Sequence, residues 1–169
     1  MLRLYLLRHA KSSWAEPGQA DFDRSLSPRG ADDVPKIAAA MRRKGYLPGH
    51  IYCSPTLRTR VTLHGIMSAF DNPPNVDYDE NLYSGGVTAY FDCVHRHPAK
   101  DALMIIGHNP MCEDFSAALA KTGEPEAIAR MSIKFPTGAL AVFDLDASDW
   151  SKIERGCGHL VDFIVPREL

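Results

Sequence analysis

Apolar residues along the chain follow two patterns, short continuous runs and stripes at helical spacing. Continuous runs bounded by polar residues are typical of buried strands, and stripes at i, i+3, i+4 and i+7 indicate helices with one buried face. The runs predict strands at residues 4–7, 50–53, 76–78, 102–106, 138–145 and 160–165. The stripes and their flanking residues predict helices at residues 27–45, 54–70, 87–94 and 109–119.

Three of these helices open on a polar residue followed by proline, at Ser27-Pro28, Ser54-Pro55 and Asn109-Pro110. Serine or asparagine at the N-cap and proline in the first turn are typical helix starts. Strands that alternate with helices predict a mostly parallel sheet covered on both faces. The expected fold class is therefore α/β, a three-layer α/β/α sandwich in a single domain over residues 1–169. No helical pattern separates the last two strands, so they are expected to pair antiparallel, as a hairpin or as an antiparallel edge strand.

Composition narrows the function without naming it. The 169 residues carry a net charge of −2, which argues against a broad surface for nucleic acid or an anionic membrane. The apolar runs are too short to cross a bilayer. The four cysteines form no C-x-x-C pair and no zinc spacing. We therefore expect a soluble protein of the reducing cytoplasm, with no partner among nucleic acids or membranes.

Polar residues that suit phosphate chemistry follow three of the predicted strands. Arg8 and His9 follow the first, Arg58 lies five residues beyond the second, and His108 follows the fourth. The carboxyl ends of parallel strands share one edge of a sheet, so these four side chains are expected to meet there. Two arginines and two histidines in one pocket call for a dianion, and a phosphoryl group is the simplest one.

The sequence lacks the motifs of the common metal-dependent enzymes that act on phosphate or on peptide bonds. The chain has no Walker loop, no H-E-x-x-H motif and no carboxylate cluster suited to magnesium. We therefore predict chemistry without a metal or cofactor. Histidine is then the natural nucleophile on phosphorus, because it is largely neutral near pH 7.

Four segments together resemble the histidine phosphatase superfamily, which has the phosphoglycerate mutase-like fold. The resemblance covers nearly the whole chain, and the short length and R-H-A-K-S-S-W form are most similar to the SixA-type phosphohistidine phosphatases. The segments are Leu7-Arg8-His9-Ala10-Lys11-Ser12-Ser13-Trp14, Arg24-Ser25-Leu26-Ser27-Pro28-Arg29-Gly30, Ser54-Pro55-Thr56-Leu57-Arg58-Thr59-Arg60-Val61-Thr62 and Gly107-His108-Asn109-Pro110.

The resemblance implies a role for each site residue. His9 would be the nucleophile that is transiently phosphorylated, Arg8 and Arg58 would clamp the phosphoryl oxygens, and His108 would donate a hydrogen bond. The Ser12 hydroxyl matches a position that touches phosphate. Further candidates for substrate binding are Asn109, beside His108, and Lys11, which either attracts an anionic substrate or stays solvated.

The chain also departs from the family pattern. Ala10 replaces the usual glycine, and Ala15 stands where mutase-like members carry an asparagine that contacts phosphate. Glu80 aligns with the family's general acid, although a solvated loop carboxylate is the competing interpretation. SixA-type members often lack a clear acid at this point, and a phosphoramidate leaving group needs less help.

The leading hypothesis is a metal-independent phosphatase acting on phosphohistidine in a protein, such as a phosphotransfer domain. The chain has no segment long enough to roof the site, and an open site admits a protein substrate. The alternatives are a phosphatase of small phosphorylated molecules and a phosphate-binding module without turnover. Retention of His9 favours an enzyme over a binding module.

Overall fold

The structure is a computed structural model that describes residues 1–14 and 16–169. Ala15, where the family pattern has an asparagine, lies outside the described residues. Seven strands of the described part form one sheet in the order β3-β2-β4-β1-β6-β7-β5. The strands are Leu2–Arg8 (β1), His50–Cys53 (β2), Asn75–Tyr78 (β3), Leu103–Gly107 (β4), Ala120–Gly123 (β5), Leu140–Leu145 (β6) and Gly158–Ile164 (β7). All neighbouring strands are parallel except that β6 runs antiparallel to both β1 and β7.

Helices cover both faces of this sheet, as the sandwich prediction requires. The α-helices are Pro28–Lys44 (α1), Leu57–Ile66 (α2), Asn81–Ser84 (α3), Val87–His95 (α4), Met111–Leu119 (α5) and Pro125–Ile133 (α6). The apolar residues of α1 and α2 pack on one face, and those of α3 to α6 pack on the other. Alternate residues of β1 enter the two clusters, Leu4 and Leu6 on one side and Tyr5 and Leu7 on the other. The three-layer α/β fold class is thereby confirmed.

Helix α1 has the ends that its sequence predicts. The Ser27 hydroxyl accepts a hydrogen bond from the Gly30 N–H at 3.1 Å, and Pro28 occupies the first turn. At the other end Gly45 adopts a left-handed conformation with φ 69°, which glycine tolerates without strain. Arg42, Arg43 and Lys44 place positive charge at the negative end of the helix dipole.

The antiparallel strand differs from the expected edge position. Strand β6 lies inside the sheet, between β1 and β7, and β5 and β3 form the two edges. Its residues from Leu140 to Phe143 are fully buried, which suits a strand that is hydrogen-bonded on both sides and covered on both faces. The pairing of β6 with β7 as an antiparallel hairpin confirms the other expected arrangement.

Three elements were not predicted: β5, α6 and the single-turn helix α3. Strand β5 (Ala120-Lys121-Thr122-Gly123) is short and largely exposed, so it carries no apolar run. In α6, Ala127 is the buried residue, which leaves the helix without a clear apolar stripe.

Two helix starts are shifted from the prediction. Helix α2 begins at Leu57 with Thr56 as its N-cap, because Ser54 is fully buried and its hydroxyl contacts another side chain. Helix α5 begins at Met111 rather than at Pro110. In the described part of the chain, no helix has the length and apolarity that a bilayer crossing requires.

Candidate active site

The register of the central strands brings the three predicted junctions together. Arg8 of β1 lies beside Gly107 of β4, and Cys53 of β2 lies beside Ile106. The ring centroids of His9 and His108, which follow β1 and β4, are consequently 5.2 Å apart. The positive charges of Arg8 and Arg58 both act on the two imidazoles and oppose their protonation. The structure thus places His9, Arg8, Arg58 and His108 around one site.

His9 is held so that one ring nitrogen remains free. Its Nδ1 lies 2.7 Å from the Ala10 carbonyl oxygen. A carbonyl can only accept, so Nδ1 carries the proton and Nε2 carries the lone pair of the neutral ring. Burial, followed by the nearby positive charges, lowers the pKa of His9 to about 3. The imidazole is therefore neutral at physiological pH and available as a nucleophile.

The backbone around His9 is anchored on both sides. The Gly138 N–H, which precedes β6, donates to the carbonyls of Arg8 at 3.1 Å and His9 at 2.9 Å. On the other side the Ala10 N–H donates to the Thr62 hydroxyl at 3.0 Å, and that hydroxyl donates to the Arg58 carbonyl at 2.8 Å. The second pair of bonds ties the loop that carries His9 directly to α2.

Arg8 is positioned by a carbonyl from a distant part of the chain. Its Nη1 donates to the Phe135 carbonyl at 2.8 Å, whereas its Nε is buried and has no partner among the described residues. Asn109 Nδ2 donates to the same carbonyl at 3.1 Å, and Asn109 Oδ1 accepts from the Glu113 N–H at 3.3 Å. Asn109 was predicted to bind substrate. Its side-chain polar atoms instead bond to the Phe135 carbonyl and the Glu113 N–H, and so hold the junction of β4 and α5 in place.

Arg58 is paired with Asp21, a residue that the sequence analysis did not select. Arg58 Nη1 donates to the Asp21 carbonyl at 2.8 Å, and Nη2 donates to the Asp21 carboxylate at 3.0 Å. The carboxylate also accepts from Tyr83 at 2.9 Å and from Arg24 at 2.9 Å. Burial alone would raise the pKa of Asp21, but these hydrogen bonds outweigh it and lower the pKa to about 2. Asp21 is therefore ionised in the ligand-free site.

His108 is fixed by two hydrogen bonds. Its Nε2 lies 2.7 Å from the Ser54 hydroxyl, and its backbone N–H donates to the Tyr90 hydroxyl at 2.9 Å. Nδ1 is buried and has no partner among the described residues. Burial, followed by the charge of Arg58, lowers the pKa of His108 to about 4. Sequence reasoning selected His108 but missed Ser54 as its partner.

The remaining predicted residues lie around the rim. The Ser12 hydroxyl accepts from Arg24 Nη2 at 2.9 Å, so its own proton stays available to a ligand. Lys11 is exposed. Glu80 is also exposed, and its side chain makes no hydrogen bond or ion pair with any described residue. It directly precedes α3, whose Tyr83 contacts Asp21. The role of Glu80 as general acid therefore stays a prediction.

Metal-ligating side chains do not cluster in the described part of the chain. Across residues 1–14 and 16–169, no group of three or more histidine, cysteine, aspartate or glutamate side chains is arranged to hold a metal ion. The charged groups that face the site are instead guanidinium groups and one carboxylate.

Comparison with known proteins identifies the family. Residues 4–83 match the model of the histidine phosphatase superfamily, branch 1. An uncharacterized protein of Mycobacterium tuberculosis is 34% identical over 164 residues, covering 95% of this chain and 100% of the relative. A protein of Agrobacterium tumefaciens described as a candidate phosphohistidine phosphatase SixA is 32% identical, with a TM-score of 0.83 over 98% of both chains. The chain belongs to the histidine phosphatase superfamily.

The superfamily match, together with the likeness to the candidate SixA of Agrobacterium tumefaciens, supports a phosphatase. The structure of the protein histidine phosphatase SixA complexed with tungstate superposes with a TM-score of 0.73 over 99% of both chains. At 20% identity that match shows the fold alone. The family resemblance and the SixA-type form predicted from the motifs are both confirmed.

Proposed function

We propose that this histidine phosphatase hydrolyses phosphohistidine in a protein, through a phosphoryl group carried on Nε2 of His9. The observation that carries the proposal is the bond from His9 Nδ1 to the Ala10 carbonyl at 2.7 Å. This bond leaves the Nε2 lone pair of a neutral imidazole as the nucleophile. The charges of Arg8 and Arg58 both act on His9, and their guanidinium groups are proposed to bind the oxygens of the transferred group.

The proposed reaction has two steps. In the first, His9 Nε2 attacks phosphorus, and the bond from phosphorus to the substrate nitrogen breaks with its electron pair leaving on that nitrogen, which takes up a proton. Arg8, Arg58 and His108 stabilise the charge that the phosphoryl oxygens carry in the transition state. In the second step, water attacks phosphorus, the bond to Nε2 breaks, and inorganic phosphate leaves.

A protein substrate is supported by the likeness to the candidate SixA of Agrobacterium tumefaciens. The two chains cover 98% of each other, so this chain carries no long segment that the candidate SixA lacks. Asp21, which binds Arg58, is exposed. Phosphorylated proteins are accordingly the proposed partners, and the four unpaired cysteines support a cytoplasmic location.

The decisive experiment compares two classes of substrate with matched variants. The protein is incubated with a phosphotransfer domain phosphorylated on histidine and, separately, with small phosphomonoesters. Samples quenched in alkali, which preserves phosphohistidine, are analysed by mass spectrometry. We expect faster release of phosphate from the domain and a phosphoryl group on His9.

His9→Ala should abolish turnover, whereas His64→Ala, which removes an exposed histidine of α2, should leave it unchanged. Retained activity in His9→Ala would overturn the assignment of His9 as the nucleophile. A preference for phosphomonoesters would instead assign a small-molecule phosphatase, and binding of phosphate without turnover would assign a binding module.

A further inference from the structure

We propose that Ser54 fixes the tautomer of His108, so that the neutral imidazole carries its proton on Nδ1. This N–H would then donate a hydrogen bond to the phosphoryl group. Ser54 would then be a positioning residue, acting on the substrate only through His108. The identity of the acceptor rests on the proposed function. The tautomer itself follows from hydrogen bonds within the ligand-free protein.

The Ser54 hydroxyl has one polar neighbour among the described residues, Nε2 of His108 at 2.7 Å. The backbone of Ser54 is satisfied elsewhere, since its N–H donates to the Ile106 carbonyl and its carbonyl accepts from Thr59. Ser54 is fully buried, so water does not supply another acceptor. The single hydroxyl proton therefore points at Nε2, which must accept it with a lone pair.

A neutral imidazole that accepts at Nε2 carries its proton on Nδ1. This nitrogen is buried and has no protein partner among the described residues. The opposite tautomer would leave both the Ser54 proton and the Nδ1 lone pair without a partner among the described residues, whereas the proposed one leaves only Nδ1–H. Because an unpaired buried polar group costs free energy, the proposed tautomer is the more stable of the two.

This arrangement removes the need for a second proton on His108. Burial and the charges of Arg58 and Arg8 lower its pKa, so the ligand-free ring is neutral. A neutral ring with its proton on Nδ1 donates one hydrogen bond to the phosphoryl group all the same. If the bound dianion draws in a second proton, the Ser54 oxygen can accept from Nε2–H after its hydroxyl rotates.

The direct test is a long-range proton–nitrogen correlation spectrum of the ligand-free protein, which distinguishes ring nitrogens that bear a proton from those that bear a lone pair. His108→Gln identifies the His108 signals by their loss. We expect a proton on Nδ1 in the native protein and a shift of population towards Nε2–H in Ser54→Ala. A native ring protonated on Nε2, or a pattern that Ser54→Ala leaves unchanged, would overturn the proposal.

Enzyme kinetics test whether Ser54 affects the reaction. Ser54→Ala should lower kcat/KM and weaken inhibition by inorganic phosphate, each by about 10- to 100-fold, as expected for one misdirected buried hydrogen bond. Ser54→Thr, which keeps a hydroxyl, should recover most of both. The control is Ser116→Ala, because Ser116 is equally buried but its hydroxyl has no partner among the described residues.

The two readouts separate this proposal from the proposed function. If the native protein has no phosphatase activity but the tautomer responds to Ser54 as expected, the proposed function fails and the tautomer assignment stands. If activity on phosphohistidine is present but Ser54→Ala has the same activity as Ser116→Ala, the positioning role of Ser54 is refuted.

Discussion

Arg58 is bound twice by Asp21, through the carboxylate at 3.0 Å and through the backbone carbonyl at 2.8 Å. A residue proposed to clamp the substrate phosphate therefore already has the carboxylate of Asp21 beside it. Asp21 balances part of the positive charge of the site, and it links Arg58 to Tyr83 and Arg24.

Asp21→Asn should strengthen binding of oxyanion inhibitors, because it keeps an accepting oxygen for Arg58 but removes the competing charge. The carboxylate is half exposed, so we expect the inhibition constants of tungstate and vanadate to fall only about two- to fivefold. The gain should shrink at high salt. Asp23→Asn, in the same turn, is the control. Weaker binding in Asp21→Asn would show that the carboxylate matters more for orienting Arg58 than for its competing charge.

Glu80→Gln tests the general acid that the resemblance to mutase-like members suggests. A general acid matters most when the leaving group is a poor one. We expect kcat/KM to fall about 10- to 100-fold for phenyl phosphate and little for 2,4-dinitrophenyl phosphate. Glu126→Gln, on the exposed surface of α6, serves as the control. If Glu80→Gln is as active as the native protein on each of the two esters, Glu80 has no part in the mechanism.

Acidification should destabilise the protein through His9 and His108. Both have folded-state pKa values, about 3 and about 4, that lie below the ordinary value of 6.5. Between these limits the unfolded chain binds more protons, so stability is lost as the pH falls below about 6.5. The slope is at most about 1.4 kcal/mol per pH unit for each histidine.

The measurement is urea unfolding between pH 7.5 and 4.5. The double variant His9→Gln/His108→Gln should lose less stability over this range than the native protein. Parallel losses in the two proteins would mean that other groups account for acid sensitivity.

Gly30→Ala should destabilise the loop that carries Ser12. A methyl group on Gly30 would collide with the backbone carbonyl of Lys11, which cannot move without disturbing its bond from Ser27 at 2.8 Å. We expect the free energy of unfolding to fall by about 1 to 3 kcal/mol. Gly86→Ala is the control, since a methyl group there meets no atom within 4 Å. Equal stability of the two variants would contradict this packing.

Removal of divalent cations should leave the reaction unchanged, because guanidinium and imidazole groups are proposed to stabilise the phosphoryl charge. Activity on phosphohistidine is measured before and after dialysis against EDTA. Loss of activity that magnesium restores would require a metal-assisted mechanism.

The sequence predicted the centre of the site because its residues follow recognisable strands. Arg8, His9 and His108 stand at the ends of apolar runs, and the parallel arrangement of those runs is enough to bring them together. Arg58 was found through its motif at the start of a helix. None of these predictions required knowledge of side-chain conformations.

The supporting residues could not be predicted in this way. Asp21 lies in a short turn without periodicity, and its importance depends on how far Arg58, Arg24 and Tyr83 reach across the rim. Phe135 acts through its carbonyl, which no side-chain pattern reports. The same limit applies to β5 and α6, whose formation depends on pairing and packing rather than on an apolar pattern of their own.

The bonds from the Gly138 N–H to the carbonyls of Arg8 and His9 have a consequence for how turnover proceeds. The histidine that would gain and lose a covalent bond in every cycle stands on backbone braced by β6 on one side and by α2 on the other. Side chains that adjust to successive ligands must then lie on the exposed side of the site, where Asp21 and Tyr83 meet, while His9 stays in place.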